Sequence, residues 1–155
     1  MAIEIERKFL IDLYAWQQLE KPEGVHYQQG YIPSDDNCTV RVRIAGAHGY
    51  ITLKGRTKGI SRSEFEYKIP LVDAEAMLKQ FTRNGTEKIR YKFPAGNRVW
   101  EVDEFLGPNK GLVVAEIELG SENEKFEKPD WITDEVTEDR RYSNSNLAIH
   151  PFLEW

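Results

Sequence analysis

The sequence predicts an α+β fold built around an antiparallel barrel of eight strands with a charged lumen and a few covering helices. Three observations carry that expectation. Apolar and charged residues alternate with period two along most of the chain, as on strands with one dry and one wet face. The breaks between these runs are short and polar, which suits hairpins and sequential antiparallel pairing. The charges that share a strand face mostly share a sign, which is costly on an open solvated sheet.

The first run, Ile3 to Ile11, sets Ile3, Ile5, Phe9 and Ile11 against Glu4, Glu6 and Lys8. Carboxylates two apart on a strand are roughly 6.5–7 Å apart and repel by about 2–3 kcal/mol at an effective dielectric near 20. Asp12 is placed to cap a short helix through Glu20, with Leu13, Trp16 and Leu19 as its stripe. Strands follow at Val25 to Ile32, at Cys38 to Ala45 with Arg41 and Arg43 on one face, and at Tyr50 to Gly55 with Lys54. Ser61 to Ile69 sets Phe65, Tyr67 and Ile69 against Glu64, Glu66 and Lys68, and Pro70 stops it. Asp73 is the expected cap of a second helix that buries Ala74, Met77, Leu78 and Phe81. Thr86 to Phe93 carries Lys88, Arg90 and Lys92. Arg98 to Phe105 carries Glu101 and Asp103, and Leu112 to Leu119 carries Glu116 and Glu118. In the tail, Ser121 and Glu124 have capping-box spacing for a short helix, and 133–147 should hold one or two helical turns.

At 155 residues the chain suits one domain, 1–155, with a real core. Its 40% apolar and 30% charged content is that of a soluble protein, and no apolar run approaches a membrane span. The start of the chain lacks the basic flank of a signal peptide, and Cys38 is its one cysteine, so the expected location is cytoplasmic without disulfides or cysteine-bound zinc. A net charge of −5 weighs against tracking nucleic acid phosphates but not against a local basic pocket.

For one strand alone, the wet face of an ordinary sheet is sufficient explanation. Repeated Glu-x-Glu and Arg-x-Arg costs stability several times over unless a ligand supplies the missing charge. Carboxylate pairs suit a hard divalent cation such as Mg²⁺ or Mn²⁺, and basic pairs suit phosphate. Both on one concave face describe a metal–polyphosphate site, and closing the strands into a barrel would enclose it. Replacing Glu116 or Glu118 by Gln is expected to relieve repulsion and leave the fold intact. His26, His48 and His150 are scattered away from ligand spacing, and Gly55 to Gly59 lacks the spacing of a phosphate-binding P-loop.

Glu4-Ile5-Glu6-Arg7-Lys8 resembles the Glu-x-Glu-x-Lys signature of the CYTH superfamily, the triphosphate tunnel metalloenzymes. The resemblance runs through Arg41-Val42-Arg43, Thr52-Leu53-Lys54, residues 61–66, Glu101-Val102-Asp103, Glu116-Ile117-Glu118 and the tail at 135–144. It implies a triphosphate tunnel that hydrolyses inorganic tripolyphosphate to pyrophosphate and phosphate with divalent metal, two ions per site during turnover. Glu4, Glu6, Lys8, Glu116 and Glu118 would be catalytic, and Glu4, Glu6, Asp103, Glu116 and Glu118 would hold metal. Lys8, Arg41, Arg43, Lys54, Lys88 and Arg90 would hold phosphates. Glu64, Glu66 and Glu101 would be either ligands or partners that orient the basic residues, and Arg140 or Arg141 could reach the tunnel. The family also includes adenylate cyclases and organic triphosphatases acting on nucleotides or thiamine triphosphate. A polyphosphate-binding module without turnover is the reading from another class. Tyr31, Tyr50 and Trp100 are the candidate contacts for a base.

Overall fold

The computed structural model describes residues 3–155. The strands are β1 Ile3–Ile11, β2 Val25–Ile32, β3 Thr39–Ala45, β4 His48–Lys54, β5 Ser61–Ile69, β6 Gly85–Ala95, β7 Arg98–Phe105, β8 Val113–Glu118 and β9 Ile132–Glu135. The helices are α1 Leu13–Gln18, α2 Leu71–Phe81 and α3 Asn144–Ile149. The sheet order is β5-β4-β3-β2-β6-β7-β8-β1, antiparallel throughout, and β5 returns to β1 with Ile3 opposite Ser63 and Ile5 opposite Ser61. Eight strands therefore close on themselves, which removes the unpaired edges of an open sheet. The ninth strand lies in the tail expected to hold only helical turns. It takes over the β1 edge beyond β5, placing Glu135 opposite Phe9 and Ile132 opposite Ile11.

Closure puts the charged faces inside, so the apolar faces must be covered from without. The main core forms on the outer wall, where Phe9, Trp100, Val102, Ala115 and Ile117 meet Trp16 of α1. Phe126, Trp131 and Ile132 pack over it from the tail. A smaller core joins Phe105, Leu112 and Val114 to Leu147 of α3. On the opposite wall α2 lies against β2, β3 and β4. Glycine permits that approach, because a Cβ at Gly49 would stand 2.7 Å from the Ala74 Cβ.

Several local expectations give way to tertiary packing. In α1 Asp12 does cap, accepting from Ala15 N at 3.1 Å, but the helix is one and a half turns and buries only Trp16, leaving Leu13 exposed. In α2 the cap position is Pro70, and Asp73 lies in the first turn; Ala74 is buried while Phe81 is exposed. No helix forms at 121–129. The Glu124 carboxylate is taken by Arg98 at 2.5 and 2.6 Å and accepts from Gly120 N, so it cannot close a capping box on Ser121. Cys38 is half-buried just before β3. No helix among the described residues is long and apolar enough to cross a membrane.

Trp100 is the centre of the outer core. It is fully buried, lies edge-on to Phe9 at 5.5 Å and Phe126 at 5.8 Å, and donates from Nε1 to Glu127 O at 3.1 Å. Trp100→Ala should cost about 3–5 kcal/mol in urea unfolding. A loss under about 1 kcal/mol would contradict this account of where the core sits.

Candidate active site

The lumen encloses a cavity of about 330 Å3. Strand alternation supplies its lining, and the ladders fix which charges meet. In the β1–β8 ladder Glu6 stands opposite Glu118 and Lys8 opposite Glu116. β3 contributes Arg41 and Arg43, β4 Lys54, and β5 Arg62, Glu64 and Glu66, while β6 and β7 add Arg90, Lys92 and Glu101. Seven carboxylates and seven cations thus face one space. A second cavity of about 460 Å3 lies where the start of β6 meets the end of α2 and the 106–109 turn. Its lining includes one arginine, Arg83, and one carboxylate, Glu87, so it lacks the charge to hold a polyanion.

The lumen charges are largely paired with one another. Glu4 accepts from Lys54 Nζ at 2.9 Å and Arg62 Nε at 3.3 Å, and Lys54 also reaches Glu64 at 3.3 Å. Glu66 takes Arg41 at 3.1 Å and the Thr52 hydroxyl at 2.7 Å. Glu116 lies 3.8 Å from Lys8 and 3.6 Å from Arg90. Glu101 accepts from Arg90 Nη1 at 3.1 Å. Lys88 and Asp103 sit behind the cavity lining, both fully buried. Asp103 receives Arg90 through a two-pronged contact at 2.7 and 2.8 Å and Lys88 at 2.6 Å, so both of its oxygens are occupied. In this arrangement Asp103 orients cations and does not face the lumen as a free metal ligand.

Two lumen carboxylates stand apart. Neither Glu6 nor Glu118 has an ion pair or hydrogen bond from its side chain among the described residues. Burial, with Glu116 and Glu4 nearby, pushes the Glu6 carboxyl from its ordinary 4.5 to about 7. Burial and the charges of Glu4 and Glu101 raise Glu118 as well. Glu64 is raised to about 7 by burial and by its hydrogen bond with Glu4, so that pair retains a proton near neutrality. Burial would also raise Glu4 and Glu116, yet both are held well below the usual range. For Glu4 the cause is Glu64 as donor together with Lys54; for Glu116 it is Lys8 and Arg90. Lys88 is pulled down to about 7 by burial, with Arg90 and Arg43 adding to it against Asp103.

Among the described residues no three Asp, Glu, His or Cys side chains converge closely enough to cage a metal ion as they stand. The donor chemistry nevertheless fits a hard divalent cation. The available ligands are carboxylate oxygens, and Glu6 and Glu118 lack a cationic partner beside Glu4 and Glu116, so a divalent cation would favour their ionised forms. Glu4 and Glu116 would have to turn from their present cations to join them.

The sequence profile of the CYTH domain matches residues 2–148. The chain belongs to the CYTH domain family. An inorganic triphosphatase of Acetivibrio thermocellus is 52% identical over 153 residues, covering 98% of this chain and 97% of that protein. One from Nitrosomonas europaea is 36% identical over 151 residues, covering 94% and 97%. A solved inorganic triphosphatase structure superposes with a TM-score of 0.65 at 32% identity, covering 96% of each chain.

The CYTH barrel also holds residues that the like-charge pattern did not single out. Tyr27, with Arg43 and Arg90 each 4.9 Å from its ring, lines the lumen, as do Tyr31, Tyr50 and Arg62. Gln29 is buried beneath that lining. Strand parity was the available signal, since Tyr27, Gln29 and Tyr31 alternate with Gln28 and Gly30. The tail reaches the lumen through Ser143, Asn144 and Ser145, whereas Arg141 turns outward onto Asp139 at 2.7 Å and Arg140 is absent from the lining. Trp100 belongs to the outer core, not to a tunnel mouth.

These electrostatics set the stability of the metal-free protein. Folded Glu6 keeps its proton up to about pH 7 but loses it near 4.5 when unfolded, so stability falls as pH rises between those values. Lys88 acts oppositely from about 7 to 10.5, because there the unfolded chain binds the extra proton. Melting temperature should therefore pass through a minimum near neutrality, roughly 5–10 °C below its value at pH 5. Glu6→Gln should reduce the acid-side fall, leaving the part that Glu64 contributes, and a flat wild-type profile would refute the assignment.

Glu116→Gln should behave differently from the sequence-based expectation of relief. It leaves Lys8 and Arg90 short of a counter-charge, and breaking a buried pair typically costs about 3–5 kcal/mol. Denaturant unfolding of Glu116→Gln beside Glu6→Gln separates the two cases: the first should be destabilised, the second not.

Proposed function

We propose that this chain is a metal-dependent triphosphatase that hydrolyses inorganic tripolyphosphate to pyrophosphate and phosphate inside the barrel. The observation that carries the reading is the convergence of like-signed pairs from separate strands on one cavity, where seven cations and seven carboxylates face one another. The two curated relatives, both inorganic triphosphatases and aligned over nearly their whole lengths, support it. One domain working in the cytoplasm on a small polyanion, away from nucleic acid and membrane, completes the proposal.

Arg41, Arg43, Lys54, Arg90 and Lys8 would bind the phosphoryl oxygens, arginine through planar forks and lysine as a point charge. Arg43 is the lumen arginine with no carboxylate partner among the described residues, so its terminal nitrogens are open to an anion. Lys88 and Asp103 act from behind by fixing Arg90, and Glu64, Glu66 and Glu101 orient the cations they touch. Glu4, Glu6, Glu116 and Glu118 would hold the divalent metal, Mg²⁺ or Mn²⁺ and two per site. When bound, such ions neutralise phosphate charge and acidify a coordinated water. Burial of Glu4, Arg41, Lys54, Arg90 and Glu116 in the wall strengthens the charge contacts they make.

The aromatic lining favours an inorganic substrate over a nucleotide. Tyr27 is already engaged by two guanidinium groups, and the Tyr31 hydroxyl accepts from Gln29 at 2.9 Å. Tyr50 alone does not make a base-stacking pocket. Phosphate release from tripolyphosphate, ATP and thiamine triphosphate, each with and without Mg²⁺ or Mn²⁺, tests the proposal. Tripolyphosphate should be turned over at least about tenfold faster than ATP at equal concentration, a difference of roughly 1.4 kcal/mol, and only with metal. Comparable turnover or cyclisation of ATP would overturn the substrate reading.

A further inference from the structure

Two amide side chains join the carboxy-terminal tail to the cationic wall. Gln29 of β2 is 1% exposed, and both ends of its amide are engaged. Its Oε1 accepts from Arg43 Nε at 2.8 Å, and its Nε2 donates to Tyr31 OH at 2.9 Å and to Asn144 Oδ1 at 3.3 Å. The same Asn144 oxygen accepts from Lys88 Nζ at 3.0 Å. Groups from β2, β3, β6 and α3 therefore share one chain of hydrogen bonds.

Asn144 is held in place by what surrounds it. Val136 N donates to Lys8 O at 2.8 Å where the tail leaves β9. Ser143 caps α3 by accepting from Asn146 N at 3.2 Å, and Leu147 is buried against Phe105, Leu112 and Val114. Buried polar side chains must be satisfied by such partners, so removing one leaves the others short. The choice of an amide also matters. A carboxylate at position 29 would anchor Arg43 equally well but cancel its charge. A neutral oxygen fixes Nε while leaving the positive fork open to the lumen.

We infer that Gln29 and Asn144 are positioning residues, an amide relay through which the carboxy-terminal helix aims the Arg43 guanidinium at a phosphate in the tunnel. This rests on the triphosphate reading of the lumen. The relay makes the tail a working part of the site and gives a polar role to α3 beyond burying Leu147.

The test uses the full chain and inorganic tripolyphosphate. Affinity is read by calorimetry without divalent metal, KM and kcat with Mg²⁺, and folding by thermal melts. Asn144→Ala and Gln29→Leu should each weaken binding and raise KM roughly threefold to tenfold, the range of one or two hydrogen bonds, with a smaller change in kcat. In an Arg43→Lys background, which lacks Nε and the fork, either change should add less than about twofold. A merely structural role would carry the full effect into that background, and such additivity would overturn the relay. So would wild-type affinity in Asn144→Ala, the variant that decides the matter if Gln29→Leu fails to fold. Wild-type protein that binds tripolyphosphate without turning it over would refute hydrolysis, and the calorimetric comparison would still judge the relay. Wild-type protein that neither binds tripolyphosphate without metal nor turns it over with Mg²⁺ would refute both.

Discussion

The balance of charge inside the barrel is the constraint on which the rest of the structure depends. Closing eight strands forces every like-signed pair to face the others across a space of about 330 Å3. An uncompensated ion in such a space costs several kcal/mol, so the carboxylates of one strand must meet the cations of another. Glu4 of β1 reaches Lys54 of β4 and Arg62 of β5, and Asp103 of β7 holds Arg90 and Lys88 of β6. The lining holds equal numbers of acidic and basic side chains, so with every carboxyl ionised the lumen is a neutral salt. Exchange of internal ion pairs for a metal–phosphate salt then conserves charge, which either ion alone would not. The chain's net charge of −5 consequently says little about its affinity for a polyanion.

A polar interior has a structural consequence. The hydrophobic core must form on the outside of the wall, and a barrel of short strands cannot bury its own outer face. Trp16 of α1, Ala74 of α2 and the 126–132 segment are the covers, whereas Leu147 of α3 packs on Phe105 and Val114, on the inward face at one end of the barrel. The tail is thus bound to the barrel for stability before it takes any part in the site. Because it is docked by β9 and Leu147, the side chains it sends into the lumen arrive pre-oriented, as a precise site requires.

The strands and the lumen's composition were legible because both follow from period-two alternation. Glu4 and Glu6, Arg41 and Arg43, Lys54, Glu64 and Glu66, Arg90, Glu101, Glu116 and Glu118 all line the cavity as their parity requires. What parity cannot show is depth along the barrel. Lys88 and Asp103 share a face with Arg90 and Glu101, yet they lie behind the lining because α3 fills that end. Nor does like-charge spacing reveal neutral residues, so Gln29 and Asn144 escaped it. Local cap signals failed where a stronger partner intervened: Glu124 belongs to Arg98 across 26 residues of chain, not to Ser121. β9 is four residues of mixed polarity, paired only because β5 leaves the β1 edge free beyond Ile5.

The two acidic motifs look alike in sequence but are each divided in their partners. In β1 Glu4 is held ionised by Lys54 and Arg62 while Glu6 is left over. In β8 Glu116 is held by Lys8 and Arg90 while Glu118 is left over. The ladder then sets the two unpaired residues opposite each other, Glu6 facing Glu118. Carboxyls without a cationic partner are thereby gathered at one place on the wall, beside cations already satisfied by other carboxylates. A divalent cation attracted there would draw Glu4 and Glu116 toward itself, which loosens their hold on Lys54, Arg62, Lys8 and Arg90. Those cations are the groups a phosphate chain needs. On the proposed site, affinity for metal and affinity for polyanion would therefore be coupled through shared carboxylates, and by linkage each would strengthen the other to the same degree.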